Sequence, residues 1–220
     1  MFTRFEQDHI DPQYVANMKA ASEYFESWLQ QQAPRGFNAM LLGMHKIASR
    51  CGYAGYTRSD GPQVTVTVTG QFRGVNKEAW RPLLKKEWFD GVEVQSGYVC
   101  PVLKTVELRN THWLVERPRG YELYLPHESL VPVFLDAMAG AMTALKNGFC
   151  AAALANHIQY FVVGHPFEKI NFSICMAQVN VILRLNGFEP IYHEYLDFEC
   201  FVYDYDRIEE ILSSKLRRTL

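Results

Sequence analysis

The sequence predicts a mainly helical chain: a helical bundle over the C-terminal half, a β-hairpin ahead of it, and an N-terminal region with additional strands. Three observations carry that expectation. Apolar residues recur at helical spacing near both ends of the chain. The clearest two-residue alternation, Gln63 to Phe72, lies in the first half. From His127 onward, amphipathic segments follow one another with only short breaks.

Asp11-Pro12 opens the first helix as N-cap and first helical residue, because the carboxylate accepts from an orphan N–H and proline has none to lose. Tyr14, Val15, Met18, Ala21, Tyr24, Phe25, Trp28 and Leu29 then share a face to about residue 31, and Pro34 to Gly36 break the run. A second helix is expected over Phe37–Ser49, with Met40, Leu41, Met44 and Ile47 on one side. Cys51–Pro62, rich in Gly, Tyr and Ser, reads as a loop. Gln63–Phe72 (QVTVTVTGQF) reads as a half-buried strand, its β-branched residues suiting a pleated surface. Val92–Leu114 carries further strand signal. There Val106–Leu108 and His112–Val115 flank Arg109-Asn110-Thr111 as a hairpin or a bent extended segment, ended by Pro118 and Gly120.

Leu130, Val133, Phe134, Ala137, Met138, Ala141 and Leu145 mark an amphipathic helix closed by Asn147-Gly148. Another runs from Phe149 to about Val163 and stops at Gly164. A third, about Phe172–Asn186, is apolar on nearly every side until Arg184, as a helix wrapped by other helices must be. Gly187 and Pro190 end it, and Arg207–Arg217 forms a last, polar helix.

With 220 residues, 48% of them hydrophobic, the chain can bury an ordinary core as one compact unit, residues 1–100 elaborating the helical part at 101–220. A net charge of −2 gives no electrostatic footprint for nucleic acid. Five cysteines form no CxxC pair and no metal-ligand spacing, so they read as buried, reduced thiols and no metal ligands are assigned. The polar N-terminus has no secretory signal pattern, and no apolar run is long enough to span a bilayer. These features suit a protein of the cytoplasm, or one delivered into another cell's cytoplasm as an effector.

The chemistry concentrates in GHPFEKINFS, residues 164–173. A helix ends at Gly164, Pro166 stiffens a turn, and a new helix starts near Asn171. The first turn of such a helix presents backbone N–H groups without intrahelical partners at the positive end of its dipole, a place that attracts phosphate. His165, just ahead of it, stands where a base could take a proton from an attacking hydroxyl. Plainer roles stand beside these. His165 also fits as a cap on the preceding helix end, Asn171 as N-cap of the following one, Glu168 as a surface carboxylate and His157 as a packed side chain.

This segment resembles the Fic/Doc (Fido) family, whose motif is HPFx[D/E]GN[G/K]RxxR. The resemblance extends upstream to AALANHIQYFVVGHPF and downstream to FSICMAQVNVILRLNGFEPI. Earlier, VELRNTHWLV followed by YLPHESLVPVFLDAM is similar to the family's flap and first core helix, so that residues 105–195 are covered. The resemblance implies a Fic-like helical bundle with a β-hairpin flap. It implies His165 as general base in transferring AMP from ATP to a protein hydroxyl, and Arg109, Asn110 and Trp113 as flap residues that register a target peptide. The departures fall on functional positions. The motif's magnesium-binding acid is Lys169, its phosphate-approaching glycines are Ile170 and Phe172, and its arginines are Ser173 and Met176; Asn171 is retained. What remains for anion or nucleotide binding is Asn171, Lys169 and Ser173. Ordinary Mg-ATP adenylylation does not fit that set, so the expected donor is a nucleotide or another phosphodiester, with the lysine charge in place of the metal. Two functions follow: transfer of a phosphate-containing group to a protein hydroxyl, or a catalytically silent module that binds a protein partner through the flap groove.

Overall fold

The computed structural model describes residues 12–31, 36–50, 71–72, 83–85, 114–118, 120–123, 126, 128–168, 170–192 and 195–219. The described part is mainly helical. Its elements are α1 (Pro12–Gln30), α2 (Phe37–Ala48), β1 (Leu83–Lys85), β2 (Leu114–Arg117), β3 (Gly120–Leu123), a 3₁₀ turn at Glu128–Leu130, α3 (Val131–Asn147), α4 (Ala151–Gly164), α5 (Asn171–Leu185), α6 (Leu196–Val202) and α7 (Tyr205–Lys215). Helix α4 packs against α3, α5, α6 and α7, while α1 lies across α2 and α5. The long-range apolar contacts therefore converge on α4 and α5.

Sequence explains why α5 sits deepest. Twelve of its fifteen residues are buried, from Asn171 to Leu183, and Arg184 is the first to reach solvent. Its C-terminus closes through Gly187 at φ 73°, a left-handed position that glycine adopts without steric penalty. The Phe188 N–H then donates to the Leu183 carbonyl at 2.9 Å, satisfying one of the helix's last acceptors. Asn180 ties the following segment down with two bonds to Ile191, accepting from its N–H at 2.9 Å and donating to its carbonyl at 3.2 Å.

Helices α3 and α4 meet closely because Gly164 has no side chain. A Cβ there would lie 2.6 Å from the Phe134 Cβ, well inside contact distance. The α3 stripe expected from sequence is buried at Phe134, Met138, Ala141 and Leu145, whereas Val133 faces solvent at 39% exposure. On α2, Phe37, Met40, Leu41, Met44, His45 and Ala48 are buried, so the inner face runs through His45 while Ile47 is only partly covered.

The strands form one antiparallel sheet in the order β1-β3-β2. Arg117 pairs with Gly120, so β2 and β3 form an antiparallel hairpin that reverses after Arg117. Strand β2 ends at Arg117, as Pro118 and Gly120 indicated, but the chain then reverses into β3, a pairing that was not expected. The arm at Val106–Leu108 and the turn at Arg109-Asn110-Thr111 lie outside the described residues, as does Val92–Leu103. Of the strand expected at 63–72, only Gln71 and Phe72 are described, and neither is in a strand. Helix α6 was not expected, and α7 starts two residues earlier than its apolar pattern suggested because Asp204 caps it, its carboxylate accepting from the Arg207 N–H at 3.1 Å. No helix among the described residues is long and apolar enough to cross a membrane.

Candidate functional site

The junction between α4 and α5 is a short loop held at both ends by unusual backbone. His165 closes α4 at φ 44°, and Ile170 precedes α5 at φ 65°; among the described residues these are the non-glycine positions with positive φ. Left-handed backbone is costly for L-residues, and a β-branched isoleucine is a poor occupant. Strain at both ends of one loop persists only where the surroundings over-determine it.

Asn171 and Phe167 supply that constraint. The Asn171 Oδ1 accepts from the Phe167 N–H at 2.8 Å, and its Nδ2 donates to the Phe167 carbonyl at 2.8 Å. The amide thus completes both backbone groups of one residue four positions upstream. The Phe167 side chain is fully buried in a ring sandwich, with His45 stacked on it at 4.1 Å and 11° and Phe72 at 5.4 Å and 26°. His165 is half-buried at the entrance of this turn, its N–H donating to the Phe161 carbonyl at 3.0 Å.

Helix α5 begins at Asn171, as the sequence indicated, but the helix's N-cap is Ile170 and no side chain caps it. The expected N-cap role of Asn171 is therefore corrected: its amide turns back to Phe167, away from its own helix's N–H groups. The same two bonds occupy both polar ends of a side chain that the sequence offered as an anion ligand. Ser173 is buried at 7% exposure and hydrogen-bonds Tyr14, reaching in from α1. Burial pushes the Tyr14 phenol up to about 12, partly offset by that bond, so the pair is neutral. Ile170 is itself buried in the apolar core. Lys169, Arg109, Asn110 and Trp113 lie outside the described residues.

The donor set does not suit magnesium. The loop offers one carboxylate, the half-buried Glu168, and the Asn171 carbonyl oxygen already accepts from Phe167. Among the described residues no three His, Cys, Asp or Glu side chains gather as a metal site.

His157 is packed, as its position on α4 suggested. It is fully buried, with Nε2 2.8 Å from the Gln178 Oε1, and Gln178 in turn donates to the Met44 sulfur at 3.3 Å. Burial pulls its pKa down to about 4, with Gln178 and the Met138 backbone acting weakly in the opposite direction. Sequence reasoning missed three groups at the junction: His45, Phe72 and Tyr14's bond to Ser173. The first was legible, because His45 falls on the 37, 40, 41, 44, 45, 48 face that buries α2.

No protein-family model matches the chain, and no curated protein matches it. Among solved structures it is similar to a Fic domain containing signaling protein from Bacteroides thetaiotaomicron, at 12% identity and a TM-score of 0.48. The match covers 91% of this chain and 56% of that one, so this chain spans just over half of that protein's length. The functional reading rests on the residues and geometry above.

Proposed function

We propose that this chain is a Fic-like protein that transfers a phosphate-containing group to a protein hydroxyl, with His165 as the base. The observation that carries the proposal is the α4–α5 loop. Two left-handed residues and the Asn171 clamp hold a half-exposed histidine ahead of a helix N-terminus that no side chain caps. In the step proposed, a target hydroxyl oxygen attacks the donor phosphorus and its proton passes to the His165 imidazole. The phosphorus–oxygen bond to the donor's other half breaks, and that half departs with the electron pair. The donor is a nucleotide or another phosphodiester. Lys169 provides positive charge in place of a metal ion, so transfer persists in EDTA.

The second reading, a catalytically silent module that binds a protein partner at the flap, is favoured by the Tyr14–Ser173 bond and the burial of Ile170. Both put protein groups where a donor phosphate would otherwise approach. Titration with ATP, UTP and a panel of phosphodiesters, followed by thermal unfolding with and without EDTA, separates the two. A saturable rise in melting temperature that EDTA leaves intact supports transfer. Unchanged melting across the whole panel supports the silent module and counts against the transferase.

A further inference from the structure

His45 lies far from the motif in sequence, yet it is one face of the sandwich around Phe167. Its ring is fully buried and nearly parallel to the phenyl at 4.1 Å, closer than the 4.5–7 Å usual between aromatic centroids. A flat five-membered ring permits so close an approach; a branched aliphatic side chain does not. The backbone that carries this ring is fixed independently. Ser49 donates to the His45 carbonyl through both its Oγ, at 2.6 Å, and its N–H, at 2.9 Å. Asn17 of α1 donates to the Ala48 and Arg50 carbonyls at 3.5 and 3.0 Å, closing the end of α2.

On the other side of the stack, Phe167 cannot move alone. Its N–H and carbonyl are both held by Asn171, and Pro166 alone separates it from His165. A proline fixes φ near −65°, so displacement of Phe167 is transmitted along a stiff link. The His165 N–H anchors the far end to α4.

We propose that His45 is a positioning residue: its stack on Phe167 sets the location of the His165 imidazole. The inference rests on the reading of His165 as the base, but it makes a claim about geometry that stands apart from turnover. It assigns α2 a part in the site that the motif does not contain.

The test is histidine-resolved NMR on the full chain, following the C2–H resonance of His165 through a pH titration, with each variant's melting temperature measured alongside. His45→Gln keeps polarity and approximate size but loses the ring; His45→Leu loses both ring and polarity; His45→Phe restores a flat ring. The proposal expects the His165 midpoint to move by several tenths of a pH unit and its line to broaden in the Gln and Leu variants, and to return toward wild type in the Phe variant. Where transfer is measurable, kcat in the Gln variant falls about tenfold at unchanged KM, because a sub-ångström misplacement acts on the reacting geometry. His165 signals that coincide in wild type and a folded His45→Gln protein overturn the proposal. A shifted signal in a protein that transfers nothing supports the positioning role and removes the transferase.

Discussion

Replacing Asn171 with alanine removes two buried hydrogen bonds at once, both of 2.8 Å and both to Phe167. Leaving a buried backbone group without its partner costs about 1–3 kcal/mol, so the two groups together cost about 2–6 kcal/mol. Partial relaxation of the loop offsets some of this, so the variant should lose about 3–4 kcal/mol. For a chain of this size that corresponds to a melting temperature lower by roughly 6–16 °C. Urea unfolding at neutral pH checks it, with an unchanged m-value showing that stability and not the denatured state has altered. Asn180→Ala is the matched control, since it deletes an equivalent pair of bonds to Ile191 at the other side of α5. The control should lose comparable stability while leaving the His165 environment intact. If Asn171→Ala costs less than about 1 kcal/mol, the clamp is not holding the loop. An asparagine kept chiefly to bind a ligand would give that near-neutral result in the free protein.

His157 sets a pH dependence. Its folded pKa is lowered from 6.5 to about 4, so the unfolded chain takes up a proton in that window and the folded chain does not. Its contribution is complete above the unfolded value and falls by about 3 kcal/mol as pH drops from 6.5 towards 4; His157→Gln should flatten that slope in urea melts across the range. At Ile170, alanine keeps the left-handed strain and glycine relieves it, so Ile170→Gly should be about 1 kcal/mol more stable than Ile170→Ala by denaturation, reversing the ranking usual within helices. Gly164→Ala drives a methyl against Phe134 and should cost about 1–3 kcal/mol, read as a lower melting temperature; an unchanged one would mean that α3 and α4 separate freely.

The helices were legible because their apolar faces are long. Helix α5 was recognisable from FSICMAQVNVILRLN as one wrapped on all sides, and Gly187 marked its end. Helix α6 escaped notice: at seven residues it gives too little periodicity to separate a buried helix from an apolar loop. The reversal from β2 into β3 was not foreseen, for a different reason. Pro118 and Gly120 signal a turn equally well whether a strand stops there or reverses, and only pairing partners decide which. The start of α5 and the entry position of His165 followed from glycine, proline and asparagine spacing. The use of Asn171's amide did not, since a helix cap and a backbone clamp call for the same residue at the same place. His45 and Tyr14 belong to distant helices, and a single sequence holds no sign of which core faces meet.

The most direct measurement of the account is transfer itself, with lysate proteins and each candidate donor incubated in EDTA and searched by mass spectrometry for phosphate-containing additions. The comparison is with His165→Asn, which tolerates the left-handed backbone but cannot serve as an imidazole base. The account predicts additions on serine, threonine or tyrosine with the wild type that disappear with the variant. Identical additions from both proteins, or none from either at donor concentrations that saturate binding, would contradict it.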